Sequence, residues 1–170
     1  MSNYSPSIIA RVGDLNPKRG LVCRTGVVNN TVAFAAAAVN IFKVTGKIRI
    51  ISLDYEAITE FSADSSVPRW QFVSTTPVVA LTDISAASAD NTGLTLGERV
   101  VFQGTALNTA PAIDAANGIT PKPANMMDVG SEGGALHLAL DSDVAQTSGT
   151  SIFTLCYLPL TAGAAAEALY

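Results

Sequence analysis

The sequence predicts an all-β protein: an antiparallel β-sandwich, jelly-roll-like or a partly open barrel, with an extended N-terminal arm. Three observations carry this. Short runs of β-branched and aromatic residues recur along the chain. Gly-, Asn-, Asp- and Ser-rich clusters separate them. No stretch longer than about ten residues shows the apolar spacing of an amphipathic helix. At 170 residues the chain fits one domain, and folding can bury roughly 70% of its unfolded surface. Residues 1–30 are expected to form the arm with a first short strand, and residues 31–170 a single sandwich domain.

Taken in order, residues 1 to about 20 carry Pro6, Gly13, Pro17 and Gly20 with little periodicity, which reads as extended chain. Leu21 to Arg24 is the first strand, stopped by Thr25-Gly26. Ala33 to Ala38 has helical propensity but spans only a turn or two, marginal without tertiary contacts. From Val39, Ile41, Lys43 and Thr45 alternate with Phe42 and Val44 as far as Gly46. Beyond that break Lys47 and Arg49 alternate with Ile48 and Ile50, and the pattern continues through Leu53 and Tyr55 to Ile58. This is a hairpin or one long kinked strand, with its Lys/Arg face either in solvent or covered by an acidic partner.

Further strands are expected at Trp70 to Val73, Pro77 to Leu81, Arg99 to Gly104, Met126 to Val129, Ala135 to Leu140 and Ser151 to Leu158. Turn chemistry lies between them at Ser62 to Ser66, Ala89 to Gly93, Asn117-Gly118, Ser131 to Gly134 and Thr147 to Thr150. Pro111 to Pro123 reads as a long excursion between strands.

Charge is unevenly distributed. Before position 50 seven bases (Arg11, Lys18, Arg19, Arg24, Lys43, Lys47, Arg49) face one acid, Asp14; afterwards three bases (Arg69, Arg99, Lys122) face thirteen acids. The two parts are +6 and −10, giving the net −4. A basic lead on an acidic body suits docking on an acidic neighbour, including another copy of the chain. Only 14% of residues are charged, well below the usual quarter or so, so much of the surface is neutral and suited to burial between subunits. The bases are too dispersed, and aromatics too few, for a nucleic-acid footprint. No apolar run is long enough to span a bilayer, and no signal peptide is visible. The chain is expected to be made in a cytoplasm.

Chemistry-bearing residues are sparse. Cys23 and Cys156 read as small buried apolar residues, with a disulfide between them as the alternative. His137 is the only histidine and fills a polar slot on an alternating strand. Asp54 and Glu56 share a strand face at i, i+2 with Glu60 close by, a pairing that could serve glycoside hydrolysis but reads better as an exposed acidic face. Asp141-Ser142-Asp143 lacks the further oxygens of a calcium loop and reads as solvated turn acids. Phosphate-binding loops and nucleophile elbows are absent from the sequence. No enzyme activity, catalytic residue, metal or cofactor is therefore expected.

Two segments suggest more. Ile41-Phe42-Lys43-Val44-Thr45-Gly46-Lys47-Ile48-Arg49-Ile50 resembles the F-x-V-T-G-x-V-x-I hairpin found early in a group of small tailed-bacteriophage structural proteins. Phe153-Thr154-Leu155-Cys156-Tyr157-Leu158-Pro159-Leu160, with the Ala-rich tail after it, resembles their closing strand and Y-x-P-L ending. The resemblance spans roughly residues 30 to 165. It implies a β-sandwich virion protein on the capsid surface, with capsid decoration or cement as its role. Such proteins commonly sit as trimers on the major capsid protein and hold capsomers together. Lys18, Arg19 and Arg24 are then the candidate capsid contacts. A tail-fibre or head-spike domain recognising host glycan is the alternative. Sparse aromatics count against it, since Trp70 is the main ring available for stacking on a sugar.

Overall fold

The structure, a computed structural model, describes residues 20–75, 78–101, 112–114 and 127–170. Among them the fold is all-β and antiparallel: ten strands in one connected sheet that does not close, plus one helical turn.

Its spine is strand β3 (Ala38–Thr59), 22 residues long. One edge of β3 pairs β8 (Met127–Asp141) along Ala38–Ile50 and then β6 (Arg99–Val101) along Asp54–Glu56. The other edge pairs β10 (Ala165–Ala168) along Phe42–Thr45 and then β9 (Thr150–Pro159) along Ile48–Thr59. Beyond β8 lie β4 (Arg69–Thr75) and β5 (Val78–Asp83); beyond β9 lie β1 (Leu21–Arg24) and β2 (Val28–Asn29); β7 (Ala112–Asp114) adds to β6.

The sheet folds over on itself. Trp70 on β4 and Phe153 on β9 are three strand steps apart, about 14 Å in a flat sheet. Their ring centroids are nevertheless 6.1 Å apart, edge to face. The first half of β3 therefore belongs to one layer and the second half to the other. Register shifts along β3 at Asn40/Phe42, Thr45/Gly46, Ile50/Ser52 and Ala57/Thr59 supply the bend, as bulges do where a strand changes layer. At Gly46, φ is +69°, and a Cβ would lie 2.8 Å from Thr161 Oγ1 and 3.0 Å from Ala164 Cβ. Only glycine meets both demands without strain. The Gly break expected as a hairpin or a kink is thus a kink.

Strand alternation fills the interior. On β9, Ser151, Phe153, Leu155 and Tyr157 are buried, while Ile152, Thr154, Cys156 and Leu158 face outward and are half-exposed. Phe34 packs edge-on to Tyr55 and Phe61, and Phe42 stacks on Trp70. Trp70 is completely buried, so the one indole proposed for sugar stacking is a core residue.

Several expectations need correction. The helical turn α1 (Asn30–Ala33) precedes the predicted Ala33–Ala38 run, because Asn29 caps it by accepting the Thr31 N–H. The strands expected at Met126–Val129 and Ala135–Leu140 are one strand: β3 pairs Gly46 with Ser131 and Thr45 with Ala135, so the intervening Glu132-Gly133-Gly134 form a bulge rather than a turn. The Ala-rich tail contains β10, whose backbone bonds override a composition with no β signal. Leu21–Arg24, the first short strand expected, does form and pairs with β9, as does Val28–Asn29. Residues 1–19 and nearly all of Pro111–Pro123 lie outside the described residues.

Candidate functional site

The outer face of β1, β9, β3 and β6 collects most of the residues singled out in the sequence. Antiparallel register places Val22 beside Cys156, Arg24 beside Thr154, and Asp54 between Thr154 and Val101. Glu56 lies between Ile152 and Arg99. Asp54 and Glu56 do share a face, but it is not an exposed acidic one. Asp54 is 3% exposed, and Arg99 Nη2 donates to its Oδ1 across 2.7 Å. Glu56 is half-buried and lies 3.9 Å from the half-exposed Arg24.

Burial is the largest influence on the Asp54 carboxyl and pushes it above its ordinary value; the Arg99 hydrogen bond and charge oppose this. Two carboxylates and two guanidiniums thus form a nearly neutral ladder across four strands. The arrangement ties strands together and presents a low-charge face; it does not aim a free acid and a free base at a common point.

The same pattern recurs on the other layer. Arg49 grips Asp128 with two bonds, Nε to Oδ1 and Nη2 to Oδ2. Lys43 reaches Glu167 at 3.9 Å. Arg69 bridges Asp141 at 2.8 Å and Asp83 at 3.5 Å, and Gln71 donates to Asp83 at 2.6 Å. The acidic partner expected for the basic face of β3 is therefore the later part of the same chain. Asp141 is a cross-strand ligand rather than a solvated turn acid, and Asp143 accepts the Val67 N–H. Sequence reading missed these pairs because they depend on register between segments as far apart as those of Lys43 and Glu167.

Cys23 and Cys156 are not joined in a disulfide, and both are half-buried. Cys23 pairs in register with the buried Leu155 and Cys156 with the exposed Val22, so the thiols point to opposite faces and cannot join. Burial raises both thiols above their usual range, which keeps them protonated and unreactive. His137 faces outward between Lys43 and Val73, in the polar slot its alternation predicts. Among the described residues no three His, Cys, Asp or Glu side chains gather as a metal site. Of the candidate capsid contacts, Arg24 stands on this outer face, while Lys18 and Arg19 lie outside the described residues.

One end of the sandwich is built from three polar loops. Gln146 ties two of them together, accepting from Ser62 Oγ and donating to Ser66 Oγ and the Asp64 carbonyl, and Ser65 joins the third by donating to Asp90. Asp64 accepts from the Thr147 hydroxyl and N–H, and Asp90 from Ser65 and Thr92. Those bonds hold both carboxyls below their ordinary range, Ser62 being the largest influence on Asp64 and Ser65 on Asp90.

No protein-family model, curated protein or solved structure matches this chain.

Proposed function

We propose that the chain is a non-enzymatic virion structural protein, a decoration or cement protein that binds the outer shell of a tailed-phage capsid and stabilises contacts between capsomers. Its partners are the major capsid protein and further copies of itself, in a trimer, and it needs no cofactor. The observation that carries this reading is the meeting of the two segments that resemble phage proteins. They are more than a hundred residues apart, yet Ile48 pairs with Pro159, Arg49 with Leu158 and Ile50 with Tyr157. The resemblance therefore falls on one continuous piece of sheet rather than on two unrelated strands.

The charge ladders support the same reading. A face whose acids and bases answer one another can be covered by a neighbour at low desolvation cost, whereas isolated charges resist burial. Complete burial of Trp70 weakens the glycan-binding alternative, since the indole offers no ring to a sugar. Lys18, Arg19 and Arg24 supply attraction to an acidic neighbour in the particle. Sedimentation of purified chain with shells that lack it tests the proposal. Saturable cosedimentation and greater resistance of the shells to heating are expected; chain left in the supernatant at every ratio contradicts it.

A further inference from the structure

β10 covers one stretch of the spine with little more than backbone. Ala165, Ala166, Glu167 and Ala168 pair with Thr45, Val44, Lys43 and Phe42 of β3. Ala166 and Ala168 are half-buried against the core, opposite the fully buried Val44 and Phe42, while Ala165 and Glu167 are exposed. The side chains therefore anchor β10 through two methyl groups and a Glu167–Lys43 contact at 3.9 Å. β9, on the same edge of β3, instead buries Phe153, Leu155 and Tyr157. Directional bonds hold β10 in place: the Leu169 N–H donates to the Ile41 carbonyl, the Ala166 N–H to the Tyr157 hydroxyl, and the Gly26 N–H to the Tyr170 carbonyl. Alanine has low strand propensity, so β10 forms because the slot on β3 supplies these partners.

The link that delivers β10 has chain to spare. Pro159 lies opposite Ile48 and Ala165 opposite Thr45, so Leu160 to Ala164 bridge a gap that only Gly46 and Lys47 fill on β3. That gap is about 10 Å, whereas the same link drawn out reaches about 20 Å. Leu160, Thr161, Ala162 and Gly163 are exposed, and Ala164 is the one core side chain the link carries. Three bonds fold the link back: the Leu160 N–H to the Lys47 carbonyl, the Lys47 N–H to Thr161 Oγ1, and the Ala164 N–H to the Thr161 carbonyl. An emptied slot leaves an unpaired edge on β3 beside Phe42 and Val44, and such an edge recruits a strand. Its chemistry selects which one. It takes small side chains opposite Phe42 and Val44, with an acid between them facing Lys43. β10 of a second copy has this sequence.

We infer that β10 is an exchangeable strand, and that copies of the chain associate by seating β10 of one on the Phe42–Thr45 edge of β3 in the next. The contacts of β10 on its own β3 are remade between copies, which makes exchange a low-cost route to an oligomer. Strand and slot are different surfaces, so a cyclic exchange closes into a ring when its rotation permits, which suits a trimer. The inference rests on the self-association part of the proposed function and not on shell binding.

Crosslinking between distinguishable copies tests it. Unlabelled and heavy-isotope-labelled full-length chains are unfolded together in urea, refolded, and treated with a carbodiimide, which joins the Lys43 amine to the Glu167 carboxylate. Mass spectrometry of the linked peptides should find unlabelled–labelled pairs beside like-labelled ones. Linked peptides that are all like-labelled overturn the exchange, and so does the absence of any Lys43–Glu167 link. A disulfide then separates a seated strand from two surfaces that merely touch. Val44→Cys and Ala166→Cys are made in separate chains, each with Cys23→Ala and Cys156→Ala, and thermal unfolding confirms that they fold. Val44 is buried and lies opposite Ala166, so only an exchanged strand brings the two thiols together, within the reach of a disulfide. Oxidising the refolded mixture should give a disulfide-linked pair of chains that neither variant gives alone. Its absence from folded variants overturns the exchange. If sedimentation velocity still shows association in that case, the exchange fails while self-association stands, and shell cosedimentation is read separately from either result.

Discussion

Arg99 donates to Asp54 across 2.7 Å on the outer face of the sheet, and this bond joins β6 to the spine. Arg99 keeps 32% of its side chain in solvent while Asp54 keeps 5%. Burial raises the Asp54 carboxyl above its ordinary value despite the bond. Ionised Asp54 therefore opposes folding slightly near neutral pH, and that opposition disappears as the pH falls below the unfolded value of about 3.9.

From this pair follows a contrast between its two members. Asp54→Asn should be at least as stable as the unmodified chain at pH 7, and the gap should close towards pH 4. Arg99→Met strands the carboxylate and should cost on the order of 2–3 kcal/mol, less than a fully buried pair because Arg99 is partly solvated. Urea unfolding of both variants across this range checks the signs. A large loss at pH 7 in Asp54→Asn contradicts the account.

The folded-over sheet predicts coupling between residues that are remote in the strand order. Trp70→Ala and Phe153→Ala should each cost about 3–5 kcal/mol. Because the rings touch across the layers, the double variant should lose measurably less than the sum. Strict additivity would mean that the two layers do not face each other there.

Glycine with positive φ matters where space is also short. Gly46 and Gly93 have φ of +69° and +65°, but only Gly46 has neighbours within 4 Å of a built Cβ. Gly93→Ala should cost about 1 kcal/mol of backbone strain, and Gly46→Ala clearly more, since Thr161 and Ala164 must also move. Equal losses in chemical denaturation would remove Gly46 as the determinant of the kink.

Acid should weaken the fold through other carboxylates. Asp64, Asp90 and Asp128 are held below their ordinary range, chiefly by hydrogen bonds from Ser62, Ser65 and Arg49 respectively. A depressed carboxyl stabilises the fold above its unfolded value and loses that contribution as the pH falls through its folded value. The thermal midpoint should drop below about pH 4, outweighing the opposite trend at Asp54. A midpoint that holds steady down to pH 2 is the contrary result.

Alternation made β3 and β9 legible, and short runs of β-branched, aromatic and other apolar residues bounded by turn chemistry did the same for β1, β4 and β5. The layers were not legible. Nothing local in Arg49 announces Asp128, and the acids of β8 and β10 that answer the basic face of β3 are separated from it by the whole middle of the chain. Asp54 and Glu56 were correctly placed on one face, but their burial depends on Arg99, Arg24 and the strands that carry them. β10 and the bulge at Glu132-Gly133-Gly134 were missed for a related reason: Ala and Gly have low strand propensity, and tertiary hydrogen bonding overrode it.

The central claim is that the chain is part of a capsid surface. Negative-stain imaging of particles assembled with and without it, purified through the same density gradient, tests this most directly. The account predicts regular surface density only on particles made with the chain, together with the chain in the particle fraction. Indistinguishable particle outlines, with the chain left at the top of the gradient, would contradict it.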